Sequence, residues 1–395
     1  MERTELLVVG CGPAGGIAAR EAAAGGIECV VLEKDTVVGA KRVCAAGLRP
    51  GFCEQFDVPR SIVHCNPAWL ALYDDATGCH KFEVGPAHTT TREELDGTIA
   101  DLARNAGAQV RCRALFRTIA IERDRSIVEY ADGNSGARRQ IAARSVFFAN
   151  GSTARFDADG PFAFRSWADG MLTCYQHRVY PERAAAATAY ETLELHYYRT
   201  AEGRQVVGWM FPKRDHLAVG LGVVGKIEGA RLRGELRDFA ERIAARLYPN
   251  VPCAIKEEGH LLYGGLPRPV IAHNGVMVGG TAAGLVDATN GEGIYEAAAS
   301  GRFAAEACRK FRNSATRAAA EYARAVQSKF YPRLKRRVAL MHFLERKPRR
   351  FGALFEQLAS TPYLRTLLER EDDRLSFAQR GYLVGQALRF AVRAI

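Results

Sequence analysis

Hydrophobic positions fall first in short, unbroken runs. Leu6 to Val9 is followed by a glycine-rich turn and an alanine-rich stretch, and Cys29 to Leu32 is a second run that ends at Glu33. This order predicts strand, helix, strand. Residues 66 to 86 alternate around Gly78 and predict a hairpin. Leu95, Ile99, Leu102 and Ala103 recur at helical spacing between Thr91 and Ala106, and Gly107 is a natural stop. Val110 to Leu115 and Arg117 to Tyr130 then alternate as strands, with a turn at Asp132-Gly133, and Ser145 to Ala149 is another buried strand. A strand-rich region follows: Leu193 to Tyr198, Gln205 to Phe211, Leu217 to Val223 and Gly259 to Tyr263. One helix interrupts it, with Leu236, Phe239, Ala240, Ile243 and Leu247 on one face. Val276 to Gly279 is a further buried strand, and helical spacing dominates from Gly293 onward, with a break expected at Pro332. The pattern predicts a discontinuous α/β domain (1–65, 87–160 and 264–310), an inserted, mainly antiparallel sheet domain (66–86 and 161–263) and a helical region (311–395).

Length supports the division, because 395 residues exceed what one core usually organises. The apolar pattern begins at residue 5 and no run of 18 apolar residues occurs, so neither a cleaved leader nor a membrane span is expected. Ten cysteines are scattered without a C-x-x-C pair, so no zinc site, no other metal site and no disulfide framework is expected, and a reducing cytoplasm suits them. The net charge of +11 is concentrated: Phe311 to Arg350 holds twelve Lys or Arg against Glu321 and Glu345. These cations are interleaved with Phe330, Tyr331, Leu334, Val338, Leu340, Met341, Phe343 and Leu344. That composition suits an anionic membrane surface, or a plain solvated helical face. No nucleic-acid motif accompanies it.

The candidate chemistry begins in the first turn. Gly10-Cys11-Gly12-Pro13-Ala14-Gly15 is a G-x-G-x-x-G fingerprint between a strand and a helix, with Glu33 eighteen residues beyond it. Gly10 permits the turn, Gly12 lets backbone amides approach a pyrophosphate, and Gly15 lets the helix pack closely. Glu33, followed by Lys34, can hold a ribose. This predicts a dinucleotide-binding domain of the Rossmann type.

Four places together resemble the geranylgeranyl reductase family, flavoproteins of the p-hydroxybenzoate-hydroxylase-like superfamily. They are the fingerprint with Glu33-Lys34; the loop Lys41-Arg42-Val43-Cys44-Ala45-Ala46-Gly47-Leu48; the strand Gly208-Trp209-Met210-Phe211-Pro212-Lys213 with Asp215 to Gly220; and Gly291-Glu292-Gly293-Ile294-Tyr295 with Ser300-Gly301. The resemblance runs from about residue 4 to 310. It implies FAD held by Gly10, Gly12, Pro13, Ala14, Gly15, Glu33, Lys34, Cys44, Ala45, Gly47, Arg92, Leu115, Gly280, Thr281, Gly291, Gly293 and Ile294, with Trp209, Phe211 and Pro212 lining the substrate slot. The implied activity is hydride transfer from reduced flavin to a C=C bond of an isoprenoid, with NAD(P)H or a ferredoxin as electron donor. An aromatic monooxygenase and a non-catalytic isoprenoid- or membrane-binding relative remain as alternatives.

Several residues can be weighed on their own chemistry. Trp209 and Phe211 lie two apart on a strand and share a face, as apolar walls or as plain core. An unactivated C=C requires an acid close by when hydride arrives, which makes Cys44 the catalytic candidate. Lys41 and Arg42 would favour its thiolate and oppose that role, and a purely structural cysteine is the other reading. Two positions depart from the family's pattern: Thr281 replaces an Asp, and Asn150-Gly151 replaces Asp-Gly. Ala45-Ala46 also stands where relatives carry more glycine, which narrows backbone freedom.

Overall fold

The computed structural model describes residues 1–40, 43–85, 87–122, 125–157, 159–182, 191–200, 202–224, 229–347, 349–369 and 376–393. Lys41 and Arg42 lie outside the described residues.

Two large sheets organise the chain. In the first, Ala272–His273, Val276–Val278, Arg138–Phe148, Glu2–Val9, Cys29–Leu32 and Gln109–Arg111 lie side by side, and Ser126–Asp132 and Ala114–Ile121 extend it from Arg138–Phe148. Its central strands run parallel, with Leu6 opposite Cys29 on one side and Ser145 on the other. Leu6, Leu7, Val8, Val30 and Val31 have no exposed surface, as expected of a sheet covered on both faces. The helices Pro13–Ala24, Arg92–Asn105 and Ile294–Lys310 pack together beside it. The expected strand at 145–149 is the end of a longer one, Arg138–Phe148, because the hairpin before it pairs through Arg138 as well.

The second sheet has the order Cys253–Tyr263, Met171–Pro181, Leu217–Val224, Gln205–Pro212, Thr192–Arg199, Trp69–Asp74, Gly78–Glu83. The hairpin 69–83 therefore joins strands from far along the chain, and Trp69–Asp74 runs parallel to Thr192–Arg199. Alternation gives this sheet two different faces. Val206, Met210, Leu217, Val219 and Leu221 meet Leu232, Leu236, Phe239 and Ile243 of the helix Gly229–Leu247. The other face carries Leu72, Leu195, Tyr197, Val207, Trp209 and Phe211, and meets Met341, Leu344, Phe351 and Phe355 from the C-terminal helices.

The expected break at Pro332 does not occur: one helix runs Ala315–Glu345 through it. A proline forfeits one helical hydrogen bond, but buried Phe330, Tyr331 and Leu334 anchor both sides, and the Tyr331 hydroxyl donates to the Arg268 carbonyl at 2.5 Å. Among the described residues, no helix is long and apolar enough to cross a membrane.

Candidate active site

The site is built where the first sheet's strand ends meet the second sheet's apolar face. Gly10 has φ +96°, and a Cβ there would lie 2.7 Å from the Ala149 carbonyl oxygen. A Cβ on Gly15 would fall 1.9 Å from the Gly10 carbonyl oxygen, so only glycine allows the helix to start this close. Pro13 opens that helix, and Ala14 is buried beneath Gly280, which has φ +55°.

Over Gly12 stands a cation. The nearest atom to a Cβ on Gly12 would be an Arg92 guanidinium nitrogen, at 3.3 Å. Arg92 begins the helix Arg92–Asn105, which Thr91 caps by accepting from the Glu94 amide, and its Nε and Nη2 donate to Asp96 at 2.9 and 2.5 Å. Burial opposes its charge, but Asp96 and the neighbouring Cys44 sulfur more than offset this and hold its pKa above the usual value. The guanidinium is thus fully charged beside the fingerprint, as a diphosphate requires.

Glu33 Oε2 accepts from the Cys11 amide at 2.8 Å and Oε1 from the Asp35 amide at 3.0 Å, which locks the carboxylate across the fingerprint. Lys34 points to solvent and pairs with Asp35. Leu115, on the strand beginning beside Glu33, is 38% exposed. On the far side, a Cβ on Gly151 would lie 3.8 Å from the Thr281 hydroxyl, so the two positions that depart from the family's pattern face one another. Asn150 Oδ1 is buried there without a hydrogen-bond partner among the described residues. A buried acceptor left unpaired is costly, and a bound hydroxyl-bearing chain would satisfy it. The glycine cradle, the Arg92 cation, the Glu33 carboxylate and this orphaned oxygen together fit FAD.

The cysteine loop lies between this cradle and the second sheet. Ala46 adopts φ +45°, a left-handed conformation that its methyl makes costly. Cys44 Sγ accepts from the Ala46 amide at 3.3 Å, and the Arg92 guanidinium also donates to it. Gly47 pairs with Thr89, and a Cβ on Gly47 would meet the Phe211 ring at 2.7 Å. Trp209 lies flat on the opposite strand, where a Cβ on Gly220 would meet its ring at 2.1 Å, and its Nε1 donates to Gln176 Oε1 at 3.1 Å. The Pro212 carbonyl accepts from the Thr89 hydroxyl at 2.7 Å. Phe211 therefore meets the loop that carries Cys44, and Pro212 is tied to Thr89, which pairs with that loop.

At the last motif, Gly291 has φ +74° and Gly293 precedes the helix Ile294–Lys310, whose first amides have no partner inside the helix. Sequence reasoning missed what braces this helix. Glu296 is fully buried, accepts from Arg49 at 2.7 Å and pairs with Arg333, while Asp287 pairs with Arg337 at 3.2 Å. Arg49 also pairs with Glu292. Two cations of the basic segment are thus internal, and Arg312 and Arg324 pair with Glu5 and Glu321. Lys213, the last residue of the Gly208 to Lys213 stretch, is 1% exposed and is the other surprise. The signal was its place directly after Phe211-Pro212.

No protein-family model matches the chain. It is 29% identical over 324 residues to the chloroplastic geranylgeranyl diphosphate reductase of Oryza sativa subsp. japonica, covering 77% of this chain and 66% of that one. It is 26% identical over 314 residues to digeranylgeranylglycerophospholipid reductase 1 of Methanopyrus kandleri, covering 76% and 79%. The chain is a relative of the geranylgeranyl reductases. It spans just under two thirds of the rice relative's length. Among solved structures it superposes on a geranylgeranyl bacteriochlorophyll reductase-like protein from Thermoplasma acidophilum with a TM-score of 0.69 and 21% identity, covering 99% and 96% of the two chains. The flavin-dependent brominase Bmp2 superposes at 0.67 and 16% identity, covering 93% of each, so the fold is shared with other chemistries.

Proposed function

We propose that this geranylgeranyl-reductase relative is an FAD-dependent reductase that saturates C=C bonds of an isoprenoid chain. The observation that carries the reading is the junction at Gly47. Phe211, on the same face as Trp209, abuts the loop that places Cys44 against Arg92, so apolar walls stand directly beside the cofactor cradle. An isoprenoid offers methyls and double bonds but few hydrogen-bonding handles, which suits aromatic walls backed by Leu195, Tyr197 and the C-terminal helices.

FAD, when bound and reduced, supplies a hydride. The residues of the chain do the rest. Gly10 to Gly15, Glu33, Arg92, Asn150 and Thr281 would hold and orient the cofactor, and the helix beginning at Ile294 would offer it the positive end of its dipole. The helices around Phe351 and Phe355 exclude water, and the Cys44 thiol gives the second carbon its proton. The single dinucleotide fingerprint is taken by FAD, so the electrons come from transiently bound NAD(P)H or from a ferredoxin.

The test is anaerobic. Protein reduced by dithionite and mixed with geranylgeranyl diphosphate should regain its oxidised flavin spectrum; reoxidation only on admitting oxygen would favour a monooxygenase.

Contact with a membrane surface, where prenylated lipids reside, we assign to the last helix, Phe377–Arg393. Phe377, Val384 and Leu388 are 94%, 60% and 64% exposed on it, with Arg380 and Arg389 alongside. Replacing all three apolar residues by Ser should abolish co-flotation with anionic vesicles, and undiminished flotation would reject the assignment.

A further inference from the structure

The turn that precedes the helix Ile294–Lys310 is closed by its own residues and then held from outside. The Asp287 amide donates to the Glu292 carbonyl at 2.7 Å, and the Gly291 amide donates back to the Asp287 carbonyl at 2.8 Å. Asp287 Oδ1 accepts from the Thr289 amide at 2.9 Å and from the Thr289 hydroxyl at 2.6 Å. These bonds close the loop but do not aim it. Its direction is set by groups from three other elements. Arg49 pairs with Glu292, Arg337 Nε pairs with Asp287 Oδ2 at 3.2 Å, and the Tyr197 hydroxyl donates to the Thr289 carbonyl at 2.6 Å.

Of these three, only Tyr197 belongs to the second sheet. It is 6% exposed on the strand Thr192–Arg199, two residues from Leu195, which lies opposite Trp209. Strand alternation puts Leu195 and Tyr197 on one face. The Tyr197 ring centroid is 5.1 Å from those of both Phe351 and Phe355 in the roof helix. Ala288, inside the turn, packs against the same cluster. One side chain therefore touches the apolar wall, the helix over it and the turn that leads to Gly293 and Ile294. A phenylalanine would fill nearly the same volume, so packing alone does not account for the hydroxyl. Burial, aided by Asp287 and opposed by Arg337, raises its pKa, which keeps it a donor at every working pH.

We propose that Tyr197 is a positioning residue for hydride transfer: its hydroxyl fixes, from the substrate wall, the turn whose following amides face the flavin. This deepens the proposed reductase reading and rests on it. An unpaired amide stabilises negative charge only where it points at that charge, and reduced flavin is the charged form. Without the bond, the Thr289 carbonyl loses its fixed direction and the amides after Gly291 lose theirs. The same bond lets the two sites sense one another. An isoprenoid laid against the wall restrains the Tyr197 ring, and the restrained ring holds the turn in the orientation that favours reduced flavin. Such coupling is reciprocal, so the reduced protein binds the isoprenoid more tightly by the same factor. Electrons are then drawn into the protein chiefly when an acceptor is in place, which limits their loss to oxygen.

The experiment reads the flavin midpoint potential by anaerobic dye equilibration in FAD-loaded protein, with and without phytanyl diphosphate, a saturated isoprenoid that cannot be reduced. The wild-type potential should rise when this ligand binds; a tenfold tighter hold in the reduced state corresponds to about 30 mV for a two-electron couple. Tyr197→Phe should start at a lower potential and lose most of that rise, while its oxidised form still binds the ligand. In turnover with geranylgeranyl diphosphate, kcat should fall about tenfold with KM little changed. A Tyr197→Phe protein that melts earlier but keeps the wild-type potential overturns the proposal, and a wild-type potential unmoved by bound ligand does the same. Should Tyr197→Phe not fold, Arg337→Met, which releases the turn at Asp287, should lower the potential in the same direction, and an unchanged value there also overturns the proposal. A lowered potential in Tyr197→Phe, with no isoprenoid-driven reoxidation in wild type, would support the hold on the turn and reject the reductase reading. An unchanged potential with that reoxidation intact would do the reverse.

Discussion

At the scale of single residues, the tight turn of the fingerprint was legible, because a Cβ on Gly10 or Gly15 would lie 2.7 or 1.9 Å from a backbone carbonyl oxygen. Trp209 and Phe211 were legible as a shared face, since strand alternation dictates it. The place of Phe211 beside Gly47 was not, because it joins residues more than 160 positions apart, and nor was the fit of Trp209 over Gly220. Buried ionisable groups were illegible: nothing in a local pattern says that His216, next to exposed Asp215, is 3% exposed. Its consequence is measurable. Burial lowers the His216 pKa to about 4, although Asp215 opposes the shift. Between that value and the ordinary 6.5, the unfolded chain binds a proton that the folded one does not. Stability should therefore fall as pH drops through this window, by roughly 3 kcal/mol in all, and change no further from this group below it. His64 and His177 are also lowered by burial and act in the same direction. In thermal melts from neutral to mildly acid pH, His216→Gln should show a shallower loss than wild type; an identical slope would place the acid sensitivity elsewhere.

At the scale of elements, hydrophobic period identified the strands and the amphipathic helices, and it erred where tertiary contact overrode a local rule. Pro332 lies within an unbroken helix because the residues on both sides of it are buried. The same helix shows why the basic segment looked like a surface. Arg333 and Arg337 sit on the face turned inward, toward Glu296 and Asp287, and a sequence cannot show which cations meet distant carboxylates. Burial raises the Glu296 pKa, and Arg49 and Arg333 oppose that rise. Removing one cation leaves a carboxyl with no solvent to replace it. Arg333→Leu should cost about 3 kcal/mol in chemical denaturation. Adding Glu296→Gln should return part of that loss, whereas additive losses from the two changes would show that the pair is not coupled.

At the scale of the whole molecule, the α/β architecture and the family resemblance were readable from four short stretches, while the roof over the aromatic face was not. That roof is made by Phe351 and Phe355 of the tail packing on Tyr197, a contact between helix and sheet with no sequence period of its own. The placement of the early hairpin in the second sheet has a further consequence, for synthesis. Trp69 pairs with Thr192, and Leu72 and Phe82 share a cluster with Phe351, so this edge waits for partners more than a hundred residues away. At ordinary translation rates that is a delay on the order of ten seconds, during which an apolar strand edge is uncovered. The first sheet cannot be completed early either, because Val276–Val278 arrives later still. The nascent chain should therefore expose apolar strand edges through much of its elongation, and its folding rate should be governed by topology more than by the stability of any one element.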